Sequence, residues 1–185
     1  MNTKIFIHQS AHVSDRAKIG EGTKVWINVQ IREDAIIGVN CILSKDVYID
    51  HGVSIGDRCK IQNSVSIYNG VTIDDDVFVG PNVAFTNDKV PRAFNKEWKV
   101  SETLIRQGVS IGANATVLCG IEIGKYAMVA AGSVVTCNVP SHALVMGNPA
   151  RVVGYVCECG HRINDEDLCK ACGKFVAPLA SGQNE

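Results

Sequence analysis

A six-residue period constrains this chain more than any other feature. From Ile7 onward, every sixth residue is bulky and apolar. Neither an α-helix, with a period of about 3.6, nor an isolated strand, with a period of about 2, requires this spacing. A period of six predicts a parallel β-helix, in which short strands stack coil upon coil. The anchors are Ile7, Val13, Ile19, Val25, Ile31, Ile37, Leu43, Ile49, Ile55, Ile61, Ile67, Ile73, Val79 and Phe85, then Ile105, Ile111, Val117, Ile123, Val129 and Val135.

A second apolar series lies four residues after each anchor and consists mostly of small or β-branched side chains, from Ala11 to Val139. Because side chains alternate along a strand, this series and the anchors both face inward and fill a narrow core. The residues between them are predicted turns. Asn and Asp tolerate left-handed backbone conformations there, and the candidates are Asn40, Asp57, Asn63, Asn69, Asp75 and Asn114.

The residue after each anchor indicates how many sides a coil has. Gly20, Gly38 and Gly56 recur every 18 residues, which predicts three sides per coil and a row of glycines along one wall. The other two walls carry distinct rows, so the three-sided interpretation is favoured. Twenty repeats predict nearly seven coils, a prism about 30 Å long. The other rows are Ser14, Arg32, Asp50, Tyr68 and Thr86, and His8, Trp26, Ser44, Gln62 and Gly80.

The bulk properties exclude several classes of protein. The chain has 185 residues, enough for one main domain and a small appendage. Its formal net charge of −1 disfavours nucleic-acid binding. No apolar run approaches the roughly 20 residues of a membrane span, and the first ten residues lack the apolar core of a signal peptide. We therefore expect a cytoplasmic protein with reduced thiols and no membrane insertion.

The hexapeptide pattern over residues 7–155 resembles that of the hexapeptide-repeat acyltransferases. The resemblance implies an all-β fold, a left-handed parallel β-helix over residues 1–155, and a homotrimer with acetyl-CoA between neighbouring prisms. The segments Lys60–Asn87 and Ile111–Tyr155 are most similar to N-acetyltransferases that act on 3-amino sugar nucleotides for surface polysaccharides such as the lipopolysaccharide O-antigen. The alternative is a purely structural β-helix.

The period fails once, between Phe85 and Ile105, where about 14 extra residues form a protruding loop over residues 86–104. Long loops on a rigid scaffold tend to carry function. This loop combines cations with aromatic rings, which suits a phosphorylated, ring-bearing ligand. The alternative is a loop that only contacts the other subunits of a trimer. The residues concerned are Arg92, Phe94, Lys96, Trp98 and Lys99.

Histidine is missing from the sequence between His51 and His142. A hydroxyl acceptor needs a base to remove its proton before it attacks a thioester. A deprotonated amine is itself nucleophilic, so the absence favours an amino acceptor. The alternative is that His51 or His142 reaches the site from another subunit.

The resemblance also implies roles for individual residues. Asn87 matches the asparagine that approaches the acceptor amine. The residues implied to line the pocket for the nucleotide-linked sugar are Gln62, Asn63, Tyr68, Thr86 and Arg92. Those implied for acetyl-CoA are Gly112, Ala113, Lys125, Ala130, Ala131 and Arg151. The alternatives are a surface position for Gln62 and an ordinary turn for Asn63.

Four cysteines follow the repeat, in the order Cys157-x-Cys159-Gly160 and Cys169-x-x-Cys172-Gly173. Thiolate pairs on tight turns suit a tetrahedral Zn²⁺ site, and glycine permits the positive φ of such turns. We expect residues 156–177 to form a module similar to a zinc ribbon, with a structural ion. Alternatives are His161 in place of one cysteine, free thiols, or iron. We expect residues 178–185 to be disordered.

The sequence therefore predicts an acetyl-CoA-dependent N-acetyltransferase that acts on a nucleotide-linked amino sugar, built as a trimer. Three alternatives stay open. One is O-acetylation of another small acceptor, and one is a non-catalytic scaffold. The third is a protein similar to the γ-type carbonic anhydrases, which need three zinc-bound histidines; His8, His12 and His51 are poorly placed for that.

Overall fold

A computed structural model describes residues 4–163, 168–174 and 176. These residues form a parallel β-solenoid of about eight turns, built from 22 strands that we number in chain order. The described residues contain no α-helix, and therefore none that could span a membrane. The terminal segment that we expected to be disordered lies outside the described residues.

The strands form three faces. The first contains β1 (Phe6–Ile7), β4 (Lys24–Val25), β7 (Ile42–Leu43), β10 (Lys60–Ile61), β13 (Phe78–Val79), β16 (Ser110–Ile111), β19 (Met128–Val129), β21 (Ala143–Gly147) and β22 (Ala150–Tyr155). The second contains β2 (His12–Val13), β5 (Gln30–Ile31), β8 (Tyr48–Ile49), β11 (Ser66–Ile67), β14 (Ala84–Phe85), β17 (Thr116–Val117) and β20 (Val134–Val135). The third contains β3 (Lys18–Ile19), β6 (Ile36–Ile37), β9 (Ser54–Ile55), β12 (Val71–Ile73), β15 (Thr103–Ile105) and β18 (Glu122–Ile123).

The register confirms the three-sided coil of 18 residues. Val25 pairs with Leu43, and Ile31 pairs with Ile49. Across the interruption the pairing spacing rises to 32 residues, as between Val79 and Ile111, so the loop does contain 14 extra residues. All strand pairs named in the three faces are parallel except β21 with β22, which is antiparallel.

The last coil is two residues shorter than predicted. Ile123 pairs with Val139, and Val129 pairs with Val145, each 16 positions apart. Val139 therefore occupies an anchor position, and its assignment to the second inward series was wrong. β21 then adds a strand to the first face that the hexapeptide series did not include.

The predicted core is buried along most of the prism. The anchors from Val25 to Val135 are nearly inaccessible, and Cys41 and Cys59 are fully buried as expected. The first coil differs, because no coil lies beneath it: Ile7 is 46% exposed and Val13 is only partly buried.

Positive φ angles occur at the third residue after an anchor, including Asn40 and Asn114. The other four predicted turn residues, Asp57, Asn63, Asn69 and Asp75, lie one position earlier and do not have positive φ. Asp57 and Asp75 use their carboxylates instead: Asp57 Oδ1 accepts the Val39 N–H at 2.9 Å, and Asp75 Oδ1 accepts the Asp57 N–H at 2.8 Å.

The glycine row stacks as predicted. A Cβ added to Gly20 would lie 2.5 Å from the carbonyl carbon of Gly38, and one added to Gly38 would lie 2.6 Å from that of Gly56. Real Cβ atoms do not approach backbone this closely, so the turns that contain Gly20 and Gly38, which follow β3 and β6, require glycine for close packing of successive coils.

Candidate functional site

The three corners of the prism carry the residues that the sequence singled out. We call the turns after the first-face strands the first corner, those after the second-face strands the second corner, and those after the third-face strands the third corner. The protruding loop leaves at the second corner, directly after β14, and returns at β15.

Two threonines attach the base of the loop to the next coil. Thr86 Oγ1 accepts a hydrogen bond from the Cys119 N–H at 2.9 Å, and Thr103 Oγ1 accepts one from the Gly120 N–H at 3.1 Å. Phe85, the last anchor before the loop, is 3% exposed. Residues 91–100 are all exposed, so the base of the loop is fixed while its outer part extends into solvent.

A cleft of about 530 Å³ lies between the loop base and the coils beside it. The Lys89 ammonium reaches into this cleft, since a Cβ added to Gly120 would overlap the end of that side chain. Cys119 and Cys137 stack one coil apart and both line the cleft. Its lining is Thr86, Asp88, Lys89, Leu118, Cys119, Gly120, Ile121, Thr136, Cys137 and Asn138.

Asn87 lies in the chain between Thr86 and Asp88, which both line the cleft; it is half-buried and is not itself part of the lining. Strand pairing of Ser66 with Ala84 places Thr86 one coil above Tyr68, as predicted. The predicted acceptor residues Tyr68, Thr86 and Asn87 therefore share the second corner.

A polar cluster below Tyr68 was missed by the sequence reasoning. The ring centroids of Tyr68 and Tyr48 are 6.0 Å apart at an interplanar angle of 57°. The Tyr48 hydroxyl donates to Asp50 Oδ1 at 3.0 Å, and Arg32 Nη1 donates to the same oxygen at 3.2 Å. Arg32 and Asp50 belong to the polar row of the second wall, so an unusually polar row was the available signal.

Asp50 is the centre of that cluster and is only 8% exposed. Its carboxylate also accepts the backbone N–H of His51 at 2.8 Å and that of Asn69 at 3.3 Å. Burial acts to raise the pKa of Asp50, but hydrogen bonds from the backbone and the imidazole of His51 outweigh it and hold that pKa below its usual range. The cluster therefore holds the Tyr48 ring, which packs against Tyr68, in a fixed position.

The remaining predicted residues lie at other corners. Gln62 and Asn63 lie at the first corner, in the same row as Gly112 and Ala130. Arg92 is exposed in the loop, where its Nη1 donates to the Pro91 carbonyl at 2.8 Å, and it does not line the cleft. One chain therefore does not bring the whole predicted set together.

The first corner carries small residues in its upper coils. A Cβ added to Gly112 would lie 2.8 Å from the Ala131 Cα, so the chain segments here approach closely with little side chain between them. Ala113 and Ala130 continue this row of small residues. Lys125 lies at the third corner instead, and Arg151 is an exposed residue of β22.

The four C-terminal cysteines meet as predicted. Their sulfur atoms all lie within 4.8 Å of one another, and no other candidate metal-ligand group of three or more occurs among the described residues. The glycines after each pair have positive φ, 86° at Gly160 and 70° at Gly173. The backbone N–H of Cys172 is the largest influence lowering the pKa of Cys169, to about 6. Such a donor set fits a metal ion that prefers thiolate ligands.

Comparison with known proteins gives consistent matches. The family model of the bacterial transferase hexapeptide (six repeats) matches residues 52–87 and 102–137, and that of the hexapeptide repeat of succinyl-transferase matches residues 29–69. The dTDP-3-amino-3,6-dideoxy-alpha-D-galactopyranose 3-N-acetyltransferase of Aneurinibacillus thermoaerophilus is 49% identical over 172 residues, which cover 91% of this chain and 88% of that protein.

Solved structures agree in fold. A hexapeptide-repeat-containing acetyltransferase from Vibrio cholerae O1 biovar eltor, complexed with acetyl coenzyme A, superposes with a TM-score of 0.60 at 28% identity, covering 67% of this chain and 72% of that one. PerB from Caulobacter crescentus, in complex with CoA and GDP-perosamine, superposes with a TM-score of 0.52 at 27% identity, covering 81% of this chain and 57% of that one.

Proposed function

The chain belongs to the bacterial transferase hexapeptide family, and from that premise we propose that it transfers the acetyl group of acetyl-CoA to the amino group of a nucleotide-linked amino sugar. The observation that carries this proposal is the 49% identity, over nearly the whole chain, to an enzyme named for the 3-N-acetylation of a dTDP-linked 3-amino-3,6-dideoxygalactose. A dTDP-linked 3-amino-3,6-dideoxyhexose is therefore the first acceptor to test, with surface polysaccharide as its destination.

The positions of the histidines support an amine acceptor. His51 lies at the second corner two coils below Asn87, about 10 Å at the usual strand spacing, and its Nδ1 is 3.1 Å from Asp50. His142 lies at the third corner with its Nδ1 3.0 Å from the Val156 carbonyl. Neither of these two imidazoles lies at the protruding loop of its own chain, where a hydroxyl acceptor would need a base.

The reaction then proceeds by direct attack. The lone pair of the neutral amine forms a bond to the thioester carbonyl carbon, and the tetrahedral intermediate collapses with cleavage of the C–S bond. The CoA thiolate leaves, and the surplus proton of the ammonium passes to that thiolate, directly or through water. Products are the acetamido sugar nucleotide and free CoA, so no protein group changes its protonation state.

Asn87 positions the acceptor in this proposal. Its amide oxygen accepts a hydrogen bond from the amine N–H, which directs the lone pair at the thioester and stabilises the positive charge that develops on nitrogen. Its half-buried place between two residues that line the cleft, directly after Thr86, which is bonded to the Cys119 N–H, supports the role.

We propose that the nucleotide of the acceptor binds along the second corner. Tyr68, supported by Tyr48, offers an aromatic face, and Arg92 of the loop offers a cation for the diphosphate. Gln62 and Asn63 lie at a different corner of the same chain, so they join this pocket only from a neighbouring subunit.

Acetyl-CoA is placed along the first corner of a neighbouring subunit. Gly112, Ala113, Ala130 and Ala131 carry little side chain, so in this proposal their peptide groups pair with the extended pantetheine arm. Lys125 and Arg151 are the proposed partners of the nucleotide phosphates. Because the acceptor and coenzyme residues lie at different corners, we propose a homotrimer whose three sites form between adjacent chains.

The cysteine cluster has no part in the transfer. Four thiolates would complete the tetrahedral coordination of Zn²⁺ and leave no open position for a substrate. We therefore propose a structural ion for Cys157, Cys159, Cys169 and Cys172.

The proposal is tested by mixing the purified protein with acetyl-CoA and a matched set of acceptors. We would compare dTDP-3-amino-3,6-dideoxygalactose with the analogue that carries a hydroxyl at the same carbon, and with UDP-linked 3-amino sugars. Free thiol gives the rate, and mass spectrometry identifies the acetylated product. We expect thiol release and an acetylated product with an amino sugar nucleotide only. Equal turnover of the hydroxyl analogue, or no turnover of any amino sugar nucleotide, would refute it.

A further inference from the structure

The segment after β22 folds into two short cysteine turns that lie against the end of the solenoid. Within it, the Cys157 and Cys172 sulfurs are 3.5 Å apart, as are those of Cys159 and Cys169. A tetrahedral tetrathiolate site with Zn–S bonds of about 2.3 Å has sulfur–sulfur edges of about 3.8 Å. The observed distances between the sulfur atoms range from 3.5 Å to at most 4.8 Å, a range that includes this edge length.

The turns themselves have the geometry of a metal knuckle. The Gly160 N–H donates to the Cys157 carbonyl and the Gly173 N–H to the Cys169 carbonyl, both at 2.8 Å. Each bond closes a tight turn that directs two sulfurs to the same point. The Lys174 ammonium bonds Glu158 at 3.0 Å and so connects one turn to the other.

This segment is held to the last coil by its backbone. The Val156 N–H donates to the His142 carbonyl at 2.8 Å, and the Ile163 N–H donates to the Tyr155 carbonyl at 3.0 Å. Arg162 Nη2 donates to the Val153 carbonyl of β22 at 2.7 Å. These bonds attach the cysteine turns to β22 and to His142, the residue before β21.

Apolar burial among the described residues of these turns is small. Among the described residues after β22, only Val156, Cys157 and Cys169 are buried. So few buried side chains cannot offset the conformational entropy of ordering the segment. A bound structural ion supplies folding free energy on the required scale.

We propose that the four cysteines bind one Zn²⁺ and that this ion is a clamp that holds the segment after β22 on the final hairpin of the solenoid. The clamp does not depend on the identity of the transfer reaction. It covers the end of the prism that carries Arg151, whereas the opposite end, with its half-exposed Ile7, has no such cover among the described residues.

The first test is the metal content of the purified, reduced, full-length protein. We expect about one zinc ion per chain and negligible iron. Cys169→Ser should lower the zinc content at least tenfold, while Cys137→Ser, an exposed thiol outside the cluster, should leave it unchanged. Stoichiometric iron would overturn the proposal. So would protein that lacks zinc and takes up none on addition of Zn²⁺ alone, or an equal loss of zinc in both variants.

A second test uses the wild-type chain, so it does not depend on folding of a variant. Zinc is removed with a thiol-reactive mercurial and a chelator, the mercurial is reversed with excess thiol, and trypsin cleavage after Arg162 is followed by mass spectrometry. We expect cleavage there to become at least tenfold faster in the metal-free protein, with protection restored by Zn²⁺, while cleavage within the coils of the prism, residues 24–85 and 105–135, stays slow. Equal cleavage after Arg162 with and without zinc would refute the clamp.

Discussion

The Thr86 hydroxyl accepts the backbone N–H of Cys119 at 2.9 Å, across 33 positions of sequence. This bond connects the first residue of the protruding loop to the coil that follows the loop. Asn87, the proposed positioning residue, comes directly after it, so the orientation of the Asn87 amide depends on a fixed neighbour rather than on the exposed part of the loop.

Replacing Thr86 tests this relationship. Thr86→Val keeps the shape of the side chain but removes the acceptor for the Cys119 N–H, which should cost about 1–3 kcal/mol of stability. Displacement of Asn87 should also lower kcat about 10- to 100-fold. Thr86→Ser retains the hydroxyl and should retain both properties. Urea unfolding and steady-state kinetics measure the two effects, and equal behaviour of the two variants would show that the bond has no role.

Asn87→Ala should lower kcat by about 10²–10³-fold, because the amide that orients the amine and stabilises its developing charge is lost. Size-exclusion chromatography should show an unchanged oligomer. Asn95→Ala in the same loop is the matched control, since the Asn95 Oδ1 only accepts the Glu97 N–H at 3.0 Å. Unchanged turnover of Asn87→Ala would remove this residue from its proposed role.

Asp50→Asn should destabilise the protein by about 1–3 kcal/mol at neutral pH, because a buried acceptor for several donors loses its charge. The pKa of Asp50 is lowered in the folded chain, so its contribution is present above the unfolded pKa of about 3.9 and is lost as pH falls through the folded value. The difference between wild type and variant in urea unfolding should therefore shrink below about pH 4. Asp15→Asn, at an exposed position, is the control; a difference that persists undiminished at low pH would contradict the assignment.

Gly38→Ala should destabilise the solenoid by about 1–3 kcal/mol or more, because the added methyl would meet the Asp57 carboxylate and the backbone of Gly56. Ser44→Ala, at the equivalent position of the first corner, should change stability by less than about 0.5 kcal/mol. Thermal unfolding of the two variants compares them directly. A tolerated alanine at position 38 would mean that the turns of the third corner can separate at little cost.

The inward-facing residues could be predicted from the sequence, because the pattern of core residues repeats in every coil. A residue such as Ile61 or Val117 must be apolar wherever a strand faces the axis, so the period identified the anchors, the three faces and the length of the loop insertion. The period could not identify β21, since two residues are missing between Val135 and Val139 and the register changes there.

Contacts between the outward-facing side chains were less predictable, because they follow no period along the sequence. Stacking of Thr86 over Tyr68 followed from the 18-residue coil, but the Tyr48–Asp50 bond and the reach of Lys89 to Gly120 depend on rotamers that spacing does not specify. Cysteine spacing predicted the four-sulfur cluster, since two tight turns with glycine leave few other arrangements.

The account depends most on acyl transfer to an amine without an imidazole base. We would measure kcat/KM of the His51→Asn/His142→Asn double variant with acetyl-CoA and the preferred amino sugar nucleotide. Asparagine can donate to Asp50 at the first position and tolerates the φ of 61° at the second. The account predicts kcat/KM within about threefold of wild type and an unchanged shape of its pH profile. A fall of about 100-fold in a folded oligomer would contradict it, because a histidine would then be acting as the base.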